Sequence, residues 1–289
     1  MTRDALRVAM VTEVFHDADG PGRLTARLKQ ARTEGADVAV LPELPLNRWA
    51  PTSRTPSDAD AELPGGERQQ AMARASHEAG IALVGGVILR DPKTGRRHNV
   101  ALLYDASGEV IARYGKLHLP REEGFWETDH YEPADELPVP IDLDGFPVGL
   151  QICSDVNRPE PSHILGAMGA AAVLSPRATP PLSYPRWRIV LQANAVTSCL
   201  YVVSVNRPPE PGSPVGGPSI AISPDGEVMI ETGEPLAVVT LERAVIEAAR
   251  PVYPGYLEVR GGLYAEGWAR VAATQALQAS AIDTNPLHG

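Results

Sequence analysis

The sequence predicts a mixed α/β fold in which two sheets are covered by helices within one domain. Three observations carry this. Short apolar runs of strand length recur along the chain, amphipathic stretches of helical length alternate with them, and 26 glycines and 28 prolines punctuate both. Residues 6–11 read as a strand, and 22–35 as a helix with Leu24 and Leu28 four apart. Residues 37–41 form an apolar strand stopped by Pro42, and 67–79 a helix ended by Gly80. Strands are expected over 81–89, 99–104 and 110–114, with turns at Asp91-Pro92-Lys93-Thr94-Gly95 and Asp105-Ala106-Ser107-Gly108 between them.

The second half repeats the mixture. Asp144-Gly145 joins strands over 139–143 and 146–152 as a hairpin. Helices are expected over 160–169 and 186–198. Strands follow at 172–174, 201–205, 219–222, 228–230 and 236–240, and the proline-rich stretch 207–218 reads as a surface cover. No repeat of fixed period and no interdomain linker is found.

Composition narrows the function classes. Hydrophobic residues make up 43% and charged residues 21%, ordinary globular usage that excludes disorder and coiled coil. A net charge of −10 argues against nucleic acid or an anionic membrane as partner. Two cysteines cannot build a disulfide framework, so a reducing cytoplasm is expected. Residues 6–11 are too short for a signal core, and the most apolar stretch, 164–174, is well short of a membrane span.

Three segments share a design in which an apolar strand ends and a reactive polar residue follows. Residues 38–42 deliver Glu43, 111–115 deliver Lys116, and 148–152 deliver Cys153. Strand ends are rigid platforms for chemistry, although a charged residue there often only solvates a turn. Cys153 precedes Ser154-Asp155 and the helix-opening Arg158-Pro159-Glu160, a strand–turn–helix junction where backbone N–H groups can lower a thiol pKa; the other reading is a buried structural thiol. Cys199, inside an apolar run, reads as structural. Lys116 and Glu43 also admit a purely structural reading, as a buried ion pair.

Leu41-Pro42-Glu43-Leu44, Tyr114-Gly115-Lys116-Leu117-His118-Leu119-Pro120 and Gly149-Leu150-Gln151-Ile152-Cys153-Ser154-Asp155 with Pro159-Glu160 resemble the three signatures of the nitrilase superfamily of carbon–nitrogen hydrolases. The order Glu, Lys, Cys matches. The resemblance continues through Phe125-Trp126-Glu127, Tyr131-Glu132-Pro133-Ala134-Asp135, Val205-Asn206-Arg207 and Tyr253-Pro254-Gly255-Tyr256-Leu257. It implies a four-layer α-β-β-α sandwich, with Glu43 as general base, Lys116 beside the developing oxyanion and Cys153 as nucleophile. Glu127 matches the superfamily's additional glutamate, in preference to Glu122 or Glu123. The Ser154 N–H is the expected second oxyanion donor. The resemblance implies no cofactor, and no His/Cys cluster has metal-ligand spacing.

Several residues bear on the substrate. D-amino-acid carbamoylases resemble Cys-Asn-Asp-Arg-Arg-Trp-Pro-Glu at the nucleophile, where this chain has Val156-Asn157 in the arginine places and Arg158 in the tryptophan place. Asn157 is therefore expected near the substrate without an arginine's grip on a carboxylate. Arg177, in Ser175-Pro176-Arg177-Ala178, stands where the superfamily resembles Pro-Thr/Ser-Ala. It is expected either to face an anionic or carbonyl-rich substrate or to be a solvated loop residue. His118 reads as an orienting hydrogen-bond partner, and Trp126 and Trp49 as pocket walls or core. Gln192-Ala193-Asn194-Ala195 resembles a segment of N-carbamoylputrescine amidases, which tilts the expectation toward that branch.

The expectation is a cofactor-free thiol amidohydrolase acting on a small amide or N-carbamoyl amine. A nitrilase, an acyltransferase passing the acyl group to an amine, and a binding protein on a retired fold are its rivals. One hydrolase domain is expected over 1–265 and a C-terminal arm over 266–289, helical at 272–277 and broken at 283–286. The superfamily's habit of association implies a homodimer or larger homo-oligomer.

Overall fold

The structure, a computed structural model, describes residues 2–283, with side chains up to residue 278. It comprises two compact units, Met1–Gly255 and Tyr256–Gly289. In the first unit, β1 (Ala5–Met10), α1 (Gly20–Thr33), β2 (Val38–Val40), the two-residue β3 (Ala61–Glu62), α2 (Glu67–Ala79), β4 (Ala82–Arg90), β5 (Arg97–Tyr104) and β6 (Val110–Gly115) come first. They are followed by β7 (Ile141–Leu143), β8 (Phe146–Leu150), α3 (Pro159–Ala167), β9 (Ala172–Arg177), α4 (Tyr184–Ser198), β10 (Tyr201–Asn206), β11 (Ser219–Ile222), β12 (Val228–Thr232), β13 (Ala237–Glu242) and α5 (Arg243–Ala249).

Two sheets result, and they are built alike. One runs β13-β1-β2-β4-β5-β6 with β3 on β4, and the other β12-β11-β10-β9-β8-β7. In each, three strands connected through two helices pair in parallel, β1-β2-β4 and β8-β9-β10, and antiparallel strands complete the sheet, apart from the short β3, which lies parallel on β4. A parallel pair needs a crossover, which the helices supply. β13 returns to lie antiparallel on β1, with Ala5 opposite Glu242.

Alternation along the strands sorts side chains into layers. Leu6, Val8, Val40, Val84 and Leu103 of the first sheet join Val148, Leu150, Leu174, Val203 and Ala221 of the second in one buried cluster between the sheets. Ala9, Ala39, Leu41 and Leu83 face outward onto Leu24 and Leu28 of α1 and Met72 and Ala75 of α2. Val173, Val202, Ile220 and Ile222 face Leu165 of α3 and Leu191 and Ala195 of α4. These are the four layers α-β-β-α.

Most element boundaries agree with the sequence reading, and the differences have a cause. α1 and α4 each start two residues earlier than expected, with Pro21 and Pro185 inside the first turn. A proline is tolerated there because its missing N–H would have had no intrahelical partner. The Asp144-Gly145 turn adopts positive φ at both residues, 51° and 84°, as a two-residue hairpin requires. The stretch 207–218 is more than a surface cover, since Arg207 and Val215 are buried.

The second unit carries α6 (Gly261–Asp283), on which Leu263, Tyr264, Trp268, Val271 and Leu277 are exposed. The helix expected over 272–277 lies within α6. The break expected at 283–286 lies, beyond Asp283, outside the described residues. No helix among the described residues is long and apolar enough to cross a membrane.

Candidate active site

The carboxyl ends of β2 and β8 and the end of β6 deliver their polar residues to one place between the sheets. Glu43, Lys116, Glu127 and Cys153 are all buried there. Lys116 Nζ donates to Glu43 Oε1 at 2.7 Å and to both oxygens of Glu127, at 2.7 and 2.6 Å. Glu43 Oε1 also accepts from Asn99 Nδ2 at 2.7 Å. Glu43 Oε2 is buried with no hydrogen-bond partner. A carboxylate held firmly by one oxygen keeps the other available to a proton. Glu122 and Glu123, the competing acids, are exposed.

Cys153 opens a short 3-10 turn, Cys153–Asn157, directly after β8. Its φ of 47° lies in the left-handed region, where a side chain with Cβ costs about 1–3 kcal/mol. The surroundings impose it. Asp155 Oδ1 accepts the backbone N–H groups of Leu117 at 3.1 Å and His118 at 2.9 Å, and the His118 ring Nδ1 at 3.0 Å. Its Oδ2 accepts the Tyr114 hydroxyl at 2.9 Å and the Ile152 N–H at 3.3 Å. One buried carboxylate thus ties the cysteine turn to the segment that carries Lys116. The Cys153 thiol donates to the Ala178 carbonyl at 3.6 Å.

Burial pushes the Cys153 thiol well above its ordinary range, the Glu43 charge adds to this, and Lys116 works against it. The thiol is therefore protonated at rest, and attack needs a base that takes the proton as the sulfur–carbon bond forms. Burial alone would lower the Lys116 ammonium, but Glu127 and then Glu43 outweigh it and hold Lys116 charged. Burial raises Glu127 to about 8, with Lys116 opposing and Glu43 adding to the rise. A fixed ammonium in a dry site stabilises a developing oxyanion far better than it would in water.

The remaining expected residues are placed as follows. Ser154 flanks Cys153 and donates its hydroxyl to the His118 carbonyl. His118 is 40% exposed at its side chain and its ring is held by Asp155 Oδ1 at 3.0 Å. Trp49 is buried, donates Nε1 to the Gly124 carbonyl at 3.0 Å and packs on Phe125 at 5.7 Å. Trp126 is half-buried beneath the Arg54 guanidinium, 4.7 Å from its ring centre. Asn157 is exposed at the far end of the 3-10 turn. Arg177 is neither solvated nor open to a cleft. It is wholly buried and bonded to Ser204, Thr179 and the Pro218 carbonyl. Cys199, at the left-handed C-terminal cap of α4, is a buried free thiol.

Sequence reasoning missed three supports. Asn99 fixes Glu43, Asp155 fixes the cysteine turn, and Arg207 holds the loop after β2 by donating to the carbonyls of Glu43 at 2.9 Å, Leu44 at 2.7 Å and Asn47 at 3.0 Å. Asp155 and Arg207 stand inside the quoted motifs, so their position was a signal, though their partners were not. Among the described residues no group of three or more His, Cys, Asp or Glu side chains is arranged to hold a metal ion.

Comparison with known proteins identifies the family. The chain matches the carbon–nitrogen hydrolase family over residues 14–251. A Pseudomonas protegens protein named hydrolase in pqqF 5′ region is 30% identical over 268 residues, 90% of this chain and 90% of its own. Human omega-amidase NIT2 is 27% identical over 258 residues, 86% of this chain and 92% of its own. The crystal structure of Saccharomyces cerevisiae Nit3, a member of branch 10 of the nitrilase superfamily, superposes with a TM-score of 0.79 at 23% identity, over 90% of this chain and 97% of that one. That last likeness speaks to the fold. The omega-amidase name differs from the N-carbamoylputrescine amidase branch that the 192–195 segment resembles. With the family match spanning most of its length, the chain belongs to the carbon–nitrogen hydrolases of the nitrilase superfamily, enzymes that act on carbon–nitrogen bonds other than peptide bonds.

Proposed function

We propose that this enzyme hydrolyses the linear C–N bond of a small amide through an acyl-cysteine intermediate on Cys153. The observation that carries the reading is the convergence of Cys153 with the buried Glu43–Lys116–Glu127 cluster. Glu43 takes the thiol proton through its unpartnered Oε2 as sulfur attacks the carbonyl carbon. Lys116 and the Ser154 N–H face the oxyanion. The proton on Glu43 passes to the departing nitrogen, and the acyl-enzyme remains. Water, deprotonated by a glutamate, then adds to the thioester, and collapse of the adduct releases the acid and the thiol.

An amide is favoured over an N-carbamoyl amine on two grounds. The relatives named omega-amidase point to the former. The 192–195 segment behind the latter has a structural explanation: Asn194 Nδ2 donates to the Val156 carbonyl at 2.7 Å and Gln192 Nε2 to the Gly226 carbonyl at 2.9 Å. The test is ammonia release from a panel of short linear amides, matched nitriles and N-carbamoyl amines, with Cys153→Ala as blank. Turnover of amides above the other two classes is expected. Preference for a nitrile or ureide overturns the substrate class, and turnover by Cys153→Ala overturns the nucleophile.

A further inference from the structure

The chain reverses immediately after Glu43. Leu44 takes a φ of 50°, in the left-handed region that a side chain with Cβ disfavours. Such a residue persists only where its surroundings impose the conformation. Here the imposing group is Arg207, which directly follows β10 and is wholly buried. One of its terminal nitrogens donates to the two carbonyls that flank the Leu44 Cα, that of Glu43 at 2.9 Å and that of Leu44 at 2.7 Å. The other donates to the Asn47 carbonyl at 3.0 Å and to Glu210 Oε2, and Nε donates to the same Glu210 oxygen at 2.8 Å. Every N–H of the guanidinium is thus engaged, three on the loop that carries the base and two on Glu210.

Glu210 decides where that fork sits. Among the described residues it is the carboxylate paired with Arg207, and its own side chain is only 13% exposed. Its other oxygen, Oε1, lies 2.9 Å from His16 Nε2, and the adjoining Phe15 N–H donates to the Pro45 carbonyl at 2.7 Å. One short segment therefore grips both Glu210 and the loop after Glu43. A buried guanidinium left without its carboxylate is costly, so it shifts toward water and takes the carbonyls bonded to it along. The carboxylate contacts of Glu43 do not replace this support. Lys116 and Asn99 hold Oε1, whereas the position of the free Oε2 also depends on the main chain of Glu43. That main chain is tied by its N–H to the Arg177 carbonyl at 3.3 Å and by its carbonyl to Arg207.

We propose that Glu210 is a positioning residue for the reaction, which fixes the Arg207 fork and through it the main chain that presents the general base Glu43. The inference rests on the reading of Glu43 as the base for the Cys153 thiol. Glu210 acts at a distance, through the left-handed turn at Leu44, and its effect falls on proton transfer rather than on substrate binding. A lysine in place of Arg207 does not serve, because a compact ammonium has three donors and no planar fork to span the loop carbonyls and Glu210 together. The Trp49 ring, from the same loop, lies 5.7 Å from the guanidinium carbon and adds to its fixing.

The experiment compares the wild type with Glu210→Gln, Glu210→Met, Arg207→Met and the double variant Arg207→Met/Glu210→Met. Two rates are measured: hydrolysis of a short neutral linear amide, giving kcat and KM, and alkylation of Cys153 by iodoacetamide, followed by mass spectrometry of the Cys153 peptide. Alkylation requires loss of the thiol proton but no oxyanion and no protonated leaving group, so it reports on the base. Glu210→Met is expected to lower kcat and alkylation about a hundredfold, with KM within about threefold. Glu210→Gln, which keeps an acceptor for the guanidinium, is expected to lower both about tenfold. The double variant is expected to fall no further than Arg207→Met alone, because Glu210 acts through Arg207. Urea melts accompany each variant. Lowered melts with kcat and alkylation kept in the folded protein overturn the proposal, as do losses that add in the double variant. If the methionine variants do not fold, Glu210→Gln decides, and alkylation at the wild-type rate overturns the proposal. If fully alkylated wild-type enzyme still turns over the amide, the nucleophile reading fails instead, and the alkylation rates still show whether Glu210 controls the thiol proton.

Discussion

Lys116 Nζ lies 2.7 Å from Glu43 Oε1, although the two residues are 73 positions apart and come from different strand ends of one sheet. Neither side chain reaches solvent, so each charge depends on the other. Lys116→Met leaves Glu43 and Glu127 facing each other without a cation. It is expected to cost about 3–5 kcal/mol of stability, because breaking a buried pair strands a charge. Urea melts check this, and a loss below about 1 kcal/mol contradicts the paired arrangement.

The two cysteines separate cleanly. Cys153 sits in a left-handed turn beside Lys116 and Glu43, whereas Cys199 caps α4 and donates to the Val196 carbonyl at 3.6 Å. Cys153→Ala is expected to lower turnover by at least about a thousandfold with the fold retained. Cys199→Ala is expected to keep kcat/KM within about twofold and to cost about 1 kcal/mol. Steady-state ammonia release and circular dichroism on both variants decide it.

Glu127 predicts a slope of stability with pH. Burial raises its carboxyl from 4.5 to about 8 in the folded chain. Between those values the unfolded chain has released the proton while the folded chain retains it, so stability from this group is greatest at low pH and falls as pH rises through the window. Lys116, whose ammonium is raised, loses its contribution only above its ordinary value of 10.5 and leaves the window untouched. Glu127→Gln should flatten the fall in melting temperature from pH 5 to pH 8. Parallel wild-type and variant curves across that range rule the assignment out.

Asp155 joins the cysteine turn to the lysine segment through five hydrogen bonds. Asp155→Ala leaves the Leu117 and His118 N–H groups and the Tyr114 hydroxyl without their acceptor. A loss of about 3 kcal/mol is expected. Displacement of the nucleophile by about an ångström is expected to lower kcat by about a hundredfold. Differential scanning calorimetry and single-turnover kinetics test the two effects separately.

Much of this enzyme was legible in its sequence because the signals were local. The apolar runs around Val38, Val148 and Val203 specify strands, and Asp144-Gly145 specifies a hairpin whatever surrounds it. Glu43, Lys116 and Cys153 announced themselves by following strand ends in a recognisable order. The first turns of α1 and α4 were harder to read, because Pro21 and Pro185 resemble breakers until the helix behind them is seen.

The supports of the site were not legible, since none has a local cause. Asn99 reaches Glu43 only because β5 lies beside β4, and Arg207 reaches the loop after β2 only because the two sheets stack. The environment of Arg177 carries the point furthest. From sequence it was either a solvated loop arginine or one facing the substrate. The tertiary structure seals it among neutral acceptors at the carboxyl end of β9. Residue types and their order determined the layers and singled out the candidate reacting groups, because period and turn chemistry act over a few residues. Burial and the pairing of charges were decided by packing, because both depend on what distant segments bring together.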